Sequence, residues 1–371
     1  MRGMSPSAVT QDLVKALRWR SPEYVYDATH KKKQLLLSWI EASVAASSEV
    51  TDELDAFLAA VDERLFDSFL FAPSVWQSLV TCHPELPNRE FLSKLKIERT
   101  FALVSVRASK GASGWPCTPE SWVWDALGAR AIDRRNPDVI AFENFRTREG
   151  IVVDALSPHV RGPLPEIPTG SDDWHAEDFS LSLNKADAAL ALIQDVNPVT
   201  YEIVTRMIRV LAFKCDRRPA AGFVSATTDR CSGRPVLQNV HQSFVNVECI
   251  ADALVHESIH TLFDTAEFYD EKIQSKHSPE RIVSPWTGRS LDPNTYVQAC
   301  YVWFGLAHFW ATALRTGKCA AQAEPFFAKC CRGLKDGEFL GLAYGQRSIF
   351  HSEVLGSLEY IRDSFNAEIA S

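Results

Sequence analysis

The sequence predicts a mainly α-helical chain with a small β component (α+β). A helical N-terminal region precedes a metalloenzyme domain built around one HExxH helix. Three observations lead there. Apolar residues recur at three- and four-residue steps across the N-terminal third, short β-branched runs are confined to the middle, and "ALVHESIHTLF" places His256 and His260 one helical turn apart. At 371 residues the chain is long enough to bury a large core, and 46% hydrophobic with 23% charged residues is an ordinary globular composition.

Taken in order, "LLLSWIEASVAA" and "LDAFLAAVDERLFDSFLFAPSVWQSLV" read as helices with few Gly or Pro interruptions. The run "HKKK" ending at Lys33 reads as a solvated helix end. Turn residues cluster in "GASGWPCTPESW", and "DVIAFENF" and "GIVVDAL" read as strands. The Pro-, Gly- and Asp-rich stretch from Ser157 to Trp174 predicts a boundary. Residues 1–173 then form a mainly helical region suited to substrate recognition, and residues 174–371 the HExxH metal-binding catalytic domain. A helical pair follows, "LNKADAALALIQDV" and "PVTYEIVTRMIRVLAF", with Pro198 fitted to a first turn. "AAGFVSATTD" and "HQSFVNV" read as strands around the turn-rich "RCSGRP". A helix from about Cys249 to Phe268 carries the motif. The irregular "HSPERIVSPWTGRSLDPN" leads to a long helix from about Thr295 to Arg315.

A net charge of -8 disfavours general affinity for nucleic acid or anionic membrane. The nine cysteines are scattered with no CxxC pair, the N-terminus lacks an apolar signal core, and no run of about 18 uncharged apolar residues occurs. The expectation is a reduced, cytoplasmic protein with neither a nucleic-acid nor a membrane partner.

Residues i and i+4 of a helix share a face, so His256 and His260 can converge on one divalent metal ion. Glu257, displaced about 100° around the helix, can reach a metal-bound water. Ile250, Ala253, Leu254, Leu262, Phe263 and Ala266 supply apolar packing, which turns the histidines toward an internal cavity. A metzincin needs a third His six residues beyond the second, and position 266 is Ala. Asp264 and Glu267 lie too far along the same helix to converge with His256. A thermolysin-like site takes a Glu from a following helix, yet the stretch from Thr295 to Arg315 contains no Glu or Asp. It offers Gln298 and His308, about 80° apart; His277, Glu280, His351 and Glu353 are outside candidates. On these residues two readings stay open: a zinc metallopeptidase with Glu257 as general base, and a non-enzymatic peptide-binding protein.

"ADALVHESIHTLF", "SPWTGR" and "VQACYVWFGLAHFW" together resemble the HExxH-motif peptide-modification family, iron/2-oxoglutarate-dependent HExxH-type peptide β-hydroxylases that accompany ribosomally made peptides. In that family LVHExxHxxL precedes an (S/A)PWR segment and a helix reading (H/Q)GxYxxxGxxxFW. Gln298, Tyr301, Gly305, Phe309 and Trp310 fall on those spacings, and the resemblance covers about Ser180 to Leu314. It implies Fe(II) on His256 and His260, with 2-oxoglutarate as cosubstrate near Arg289, Gln298 and Tyr301. The substrate it implies is a peptide or amino acid, free or bound to a carrier or leader. Here Thr287 replaces the Arg after SPW, so Arg289 takes that place with Arg347 in reserve, and Ala299 replaces the Gly after Gln298. Arg suits the cosubstrate's distal carboxylate because its planar fork matches that group.

Overall fold

In the computed structural model the residues described are 6–80, 89–103, 121–158, 174–219, 221–227, 231–267 and 278–369. The protein is mainly α with a small β component. The elements run α1 (Ala8–Ala16), α2 (Glu23–Ala46), α3 (Ser48–Leu58), α4 (Glu63–Leu70), α5 (Pro73–Val80), α6 (Arg89–Leu103), β1 (Trp122–Trp124), β2 (Arg130–Asp133), β3 (Asn136–Glu143), β4 (Phe145–Arg146) and β5 (Val152–Asp154). Next come α7 (Ala176–Val196), α8 (Pro198–Met207), β6 (Val210–Lys214), β7 (Val224–Ala226), β8 (Val236–Gln238) and α9 (Val247–Glu267). The last are β9 (Ile282–Val283), β10 (Ser290–Leu291), α10 (Pro293–Arg315), α11 (Ala320–Leu334), α12 (Glu338–Gly345) and α13 (Ser352–Glu368).

The chain divides into two compact units, each discontinuous in sequence. One comprises Met1–Thr29, Ala188–Met207 and Val247–Ser371; the other His30–Asp187 and Ile208–Asn246. A division at 173/174 falls inside the second unit, and residues 159–173 of the proline-rich stretch lie outside the described residues.

The second unit packs α3 to α6 around Leu36, Phe57, Phe69, Trp76, Phe91 and Leu95. Its larger sheet runs β4-β5-β6-β8-β7, with β5, β6 and β8 parallel and the outer strands antiparallel. β6 corrects the reading of "PVTYEIVTRMIRVLAF" as one helix. The helix stops at Met207, and Val210–Lys214 is buried on both faces as the central strand. A continuous apolar run of that length is what a two-sided parallel strand requires, and periodicity alone does not separate it from a buried helix. "HQSFVNV" is a loop and no strand. Lys185 Nζ donates to the carbonyls of Val240, Gln242 and Val245 at 3.0, 2.7 and 2.8 Å, so these oxygens face inward to an ammonium and not outward to a neighbouring strand. The "HKKK" run lies within α2 and does not end it; Lys33 pairs with Asp67 at 2.7 Å, and Lys32 covers the Trp76 ring at 4.0 Å.

The first unit is helical apart from the β9–β10 hairpin, among the described residues. α10 starts at an Asp292 cap whose carboxylate accepts from Thr295 N, with Pro293 in the first turn where its missing N–H costs nothing. Gly305 sets how closely α10 approaches α9. A Cβ there would sit 2.7 Å from Ile259 Cδ1, inside contact distance. The same turn receives Trp19, whose indole N–H donates to Gly305 O at 2.8 Å. α11 to α13, for which the sequence offered no reading, pack on α10 and on one another.

Candidate metal centre

α9 forms because apolar residues surround it: Ile250, Leu254, Ile259, Leu262 and Phe263 are fully buried. His256 and His260 are half-buried on it, as are Asp252 and the first turn. Their Nε2 atoms lie 3.2 Å apart. Two nitrogens each about 2.1 Å from one ion, at ordinary coordination angles, are separated by roughly 3.0–3.4 Å, so the pair fits a shared divalent ion. A hydrogen bond with one ring donating satisfies the same separation.

Gln298 lies across the ring. Its Oε1 is 2.9 Å from His260 Nδ1, in the arrangement of an accepting side-chain amide. An Nδ1–H held there leaves the Nε2 lone pair free toward His256, which is the ligand-ready tautomer. Gln298 thus engages the edge of the His260 ring that lies away from His256. Burial, then the neighbouring His260 and Lys329, holds His256 well below the ordinary imidazole range, so its ring is neutral at physiological pH. Neutral imidazole is the metal-binding form.

The wall beside His256 is aromatic. Trp303 meets it edge-on at 6.3 Å and stacks on Trp286 at 5.7 Å and 14°. Trp286, from the SPW segment, is fixed by an N–H···O bond to Cys330 at 2.9 Å and by Gly333, where a Cβ would overlap its indole. Lys329 Nζ stands 5.0 Å over the Trp303 ring, within cation–π range, with its side chain exposed. Trp303 is a buried core residue of α10 whose ring also faces this site, and Lys329 reaches it from α11.

The other expected residues are placed as follows. Glu257 is 1% exposed, and its charge acts on Asp252. Burial is the main cause that pushes the Asp252 carboxyl up to about 6, against the Trp310 N–H that it accepts at 2.7 Å. Tyr301 is fully buried with its ring 5.0 Å from Phe263, in the α9–α10 seam. Arg289 is exposed beside the β9–β10 hairpin, its amide donating to Thr287 Oγ1, and Arg347 is exposed as well. His308 is buried against Phe304, where burial and Arg18, Arg20 and Arg315 hold it down to about 3. Glu267 accepts from Asn294 at 3.1 Å, and His277 lies outside the described residues. Among the described residues no three His, Cys, Asp or Glu side chains are grouped to hold a metal, so the two imidazoles stand without a carboxylate of that set.

The seven described cysteines are free thiols, and no helix among the described residues is long and apolar enough to cross a membrane. Compared with family models and with curated proteins, the chain matches none.

Proposed function

We propose that the chain is a metal-dependent oxygenase that modifies a peptide or amino acid, with Fe(II) and 2-oxoglutarate. The observation that carries the reading is the 3.2 Å Nε2–Nε2 pair of His256 and His260 backed by Gln298 on His260 Nδ1. Gln298 is also the residue that opens the QxxYxxxGxxxFW pattern, so the geometry and the resemblance meet at one side chain. Bound by the two imidazoles, Fe(II) would supply the redox chemistry by which one oxygen atom of O₂ enters a substrate C–H bond and the other enters succinate as 2-oxoglutarate loses CO₂.

The chain's own contribution is positioning. Gln298 holds His260 in one tautomer, burial keeps His256 neutral, and the Trp286–Trp303 stack gives the site a rigid apolar wall. A cytoplasmic setting goes with this reading, because Fe(II) and free thiols both persist in a reducing compartment. The test is anaerobic loading with Fe(II), followed by 2-oxoglutarate and O₂, with succinate as the readout. Succinate in catalytic amounts supports the proposal. Zinc-dependent peptide cleavage without succinate would favour the metallopeptidase, and neither activity the peptide-binding reading.

A further inference from the structure

A cavity of about 210 Å³ lies within the second unit, between α3, α4, α6 and the turn joining β1 to β2. It is partly open to the surface, with the exposed Leu65 among its lining residues. Phe57, Leu65, Phe69, Phe101 and Leu127 supply apolar walls, and the three phenylalanines are buried. Benzene fills an apolar cavity of about 150 Å³, which leaves room here for a ring and a short polar tail.

The polar end is made by Glu98, Asp125 and Arg130. Asp125 is 3% exposed and already engaged: Oδ1 accepts from Ala129 N at 2.6 Å and Oδ2 from Arg130 Nε at 3.1 Å. The Arg130 guanidinium is further held over the Phe101 ring at 5.1 Å. Glu98 accepts one backbone N–H, from Ala126. Two carboxylates thus share one close cation, with Lys94 a weaker influence one turn earlier on α6. Burial, then the neighbouring Asp125, pushes Glu98 up to about 8. At neutral pH Glu98 therefore holds a proton at the end of an aromatic slot, and a bound ammonium can take that proton's place.

We propose that this cavity binds a small primary amine on an apolar body, about the size of 2-phenylethylamine, with its ammonium on Glu98 and its ring among Phe57, Phe69 and Phe101. The amine can be a free molecule or the N-terminus of a peptide that begins with an aromatic residue. Charge complementarity selects it: an ammonium can replace the proton on Glu98 and form an ion pair there, whereas a carboxylate ligand would face Asp125 and a neutral ring makes no ion pair. The site stands apart from the proposed oxygenase chemistry and requires no metal.

Titration calorimetry on the full chain, without added metal, tests it with 2-phenylethylamine, ethylbenzene, phenylacetate, and a phenylalanine-initiated tripeptide with and without an N-acetyl group. The expected result is one 2-phenylethylamine per chain, at least tenfold weaker binding of ethylbenzene, and none of phenylacetate. Stronger binding of the free-amine tripeptide than of 2-phenylethylamine assigns the site to a peptide terminus, and the reverse order to a free amine. Glu98→Gln should weaken 2-phenylethylamine at least tenfold while Tm is kept. Ala102 also lines the cavity, and Ala102→Leu should block binding by filling it. Absence of binding to the wild-type chain, equal binding of phenylacetate, or unchanged affinity in a folded Glu98→Gln variant would overturn the proposal.

Discussion

Gln298 Oε1 sits 2.9 Å from His260 Nδ1, on the opposite edge of the ring from the Nε2 that faces His256. One side chain from α10 thereby meets the back edge of a ring on α9. Partners of this kind, placed behind a ligand, typically change metal affinity by about 10- to 100-fold when removed. Gln298→Leu should therefore weaken Co(II) or Zn(II) binding in a chelator competition by about that factor, with an unchanged circular dichroism spectrum. Unaltered affinity would show that the amide does not orient the ring.

Gly305 is a packing residue. In an unconstrained helix interior Gly→Ala would gain about 1 kcal/mol. Here the added methyl would meet Ile259 Cδ1 at 2.7 Å, and overpacking of this kind costs about 1–3 kcal/mol. Gly305→Ala should lower the denaturant midpoint, and Ile259→Val should restore part of the loss in the double variant. Additive effects of the two substitutions would place the strain elsewhere.

Asp252 gives a pH dependence with a definite sign. Its carboxyl stands at about 6 in the folded chain and 3.8 as its ordinary value, so the folded state binds the proton more tightly. That contribution is complete below pH 3.8 and is lost as pH rises through 6. The loss is up to about 3 kcal/mol before solvent screening of this half-buried group reduces it. Asp252→Asn keeps an acceptor for Trp310 N–H and removes the titration. Between pH 4 and 6.5 the variant should gain stability relative to wild type, as read from urea midpoints at each pH. Parallel pH profiles would contradict the assignment.

Lys329 and Arg289 separate two accounts of cosubstrate binding. The SPW resemblance points to Arg289, which is exposed beside its hairpin, whereas Lys329 is the cation whose charge reaches His256. Lys329→Met should raise the 2-oxoglutarate KM about tenfold, and Arg289→Ala should change it less than twofold. The reverse order would restore the arginine to the role that the resemblance gives it.

The HExxH helix and its partner were legible from local pattern alone. Two histidines at i,i+4 with apolar flanks define α9, and Asp292-Pro293 marks the start of α10 two residues before the expected Thr295. The pairing of Gln298 with His260 follows from close approach at a glycine, which helical spacing could suggest. The aromatic wall was not legible. Trp286, Trp303 and Lys329 come from three segments whose proximity is set by tertiary packing, and an exposed lysine carries no signal of its own. β6 was misread for a related reason, since a short run buried on both sides has the same composition in a helix and in a strand.

The measurement that bears most directly on the account is metal stoichiometry by mass spectrometry under non-denaturing conditions, on the wild-type chain and on His256→Ala and His260→Ala. The account predicts one divalent ion per wild-type chain, lost in both variants while the fold persists. A wild-type chain that takes up no ion, or variants that bind it as tightly as wild type, would contradict the assignment of His256 and His260 as a shared metal site.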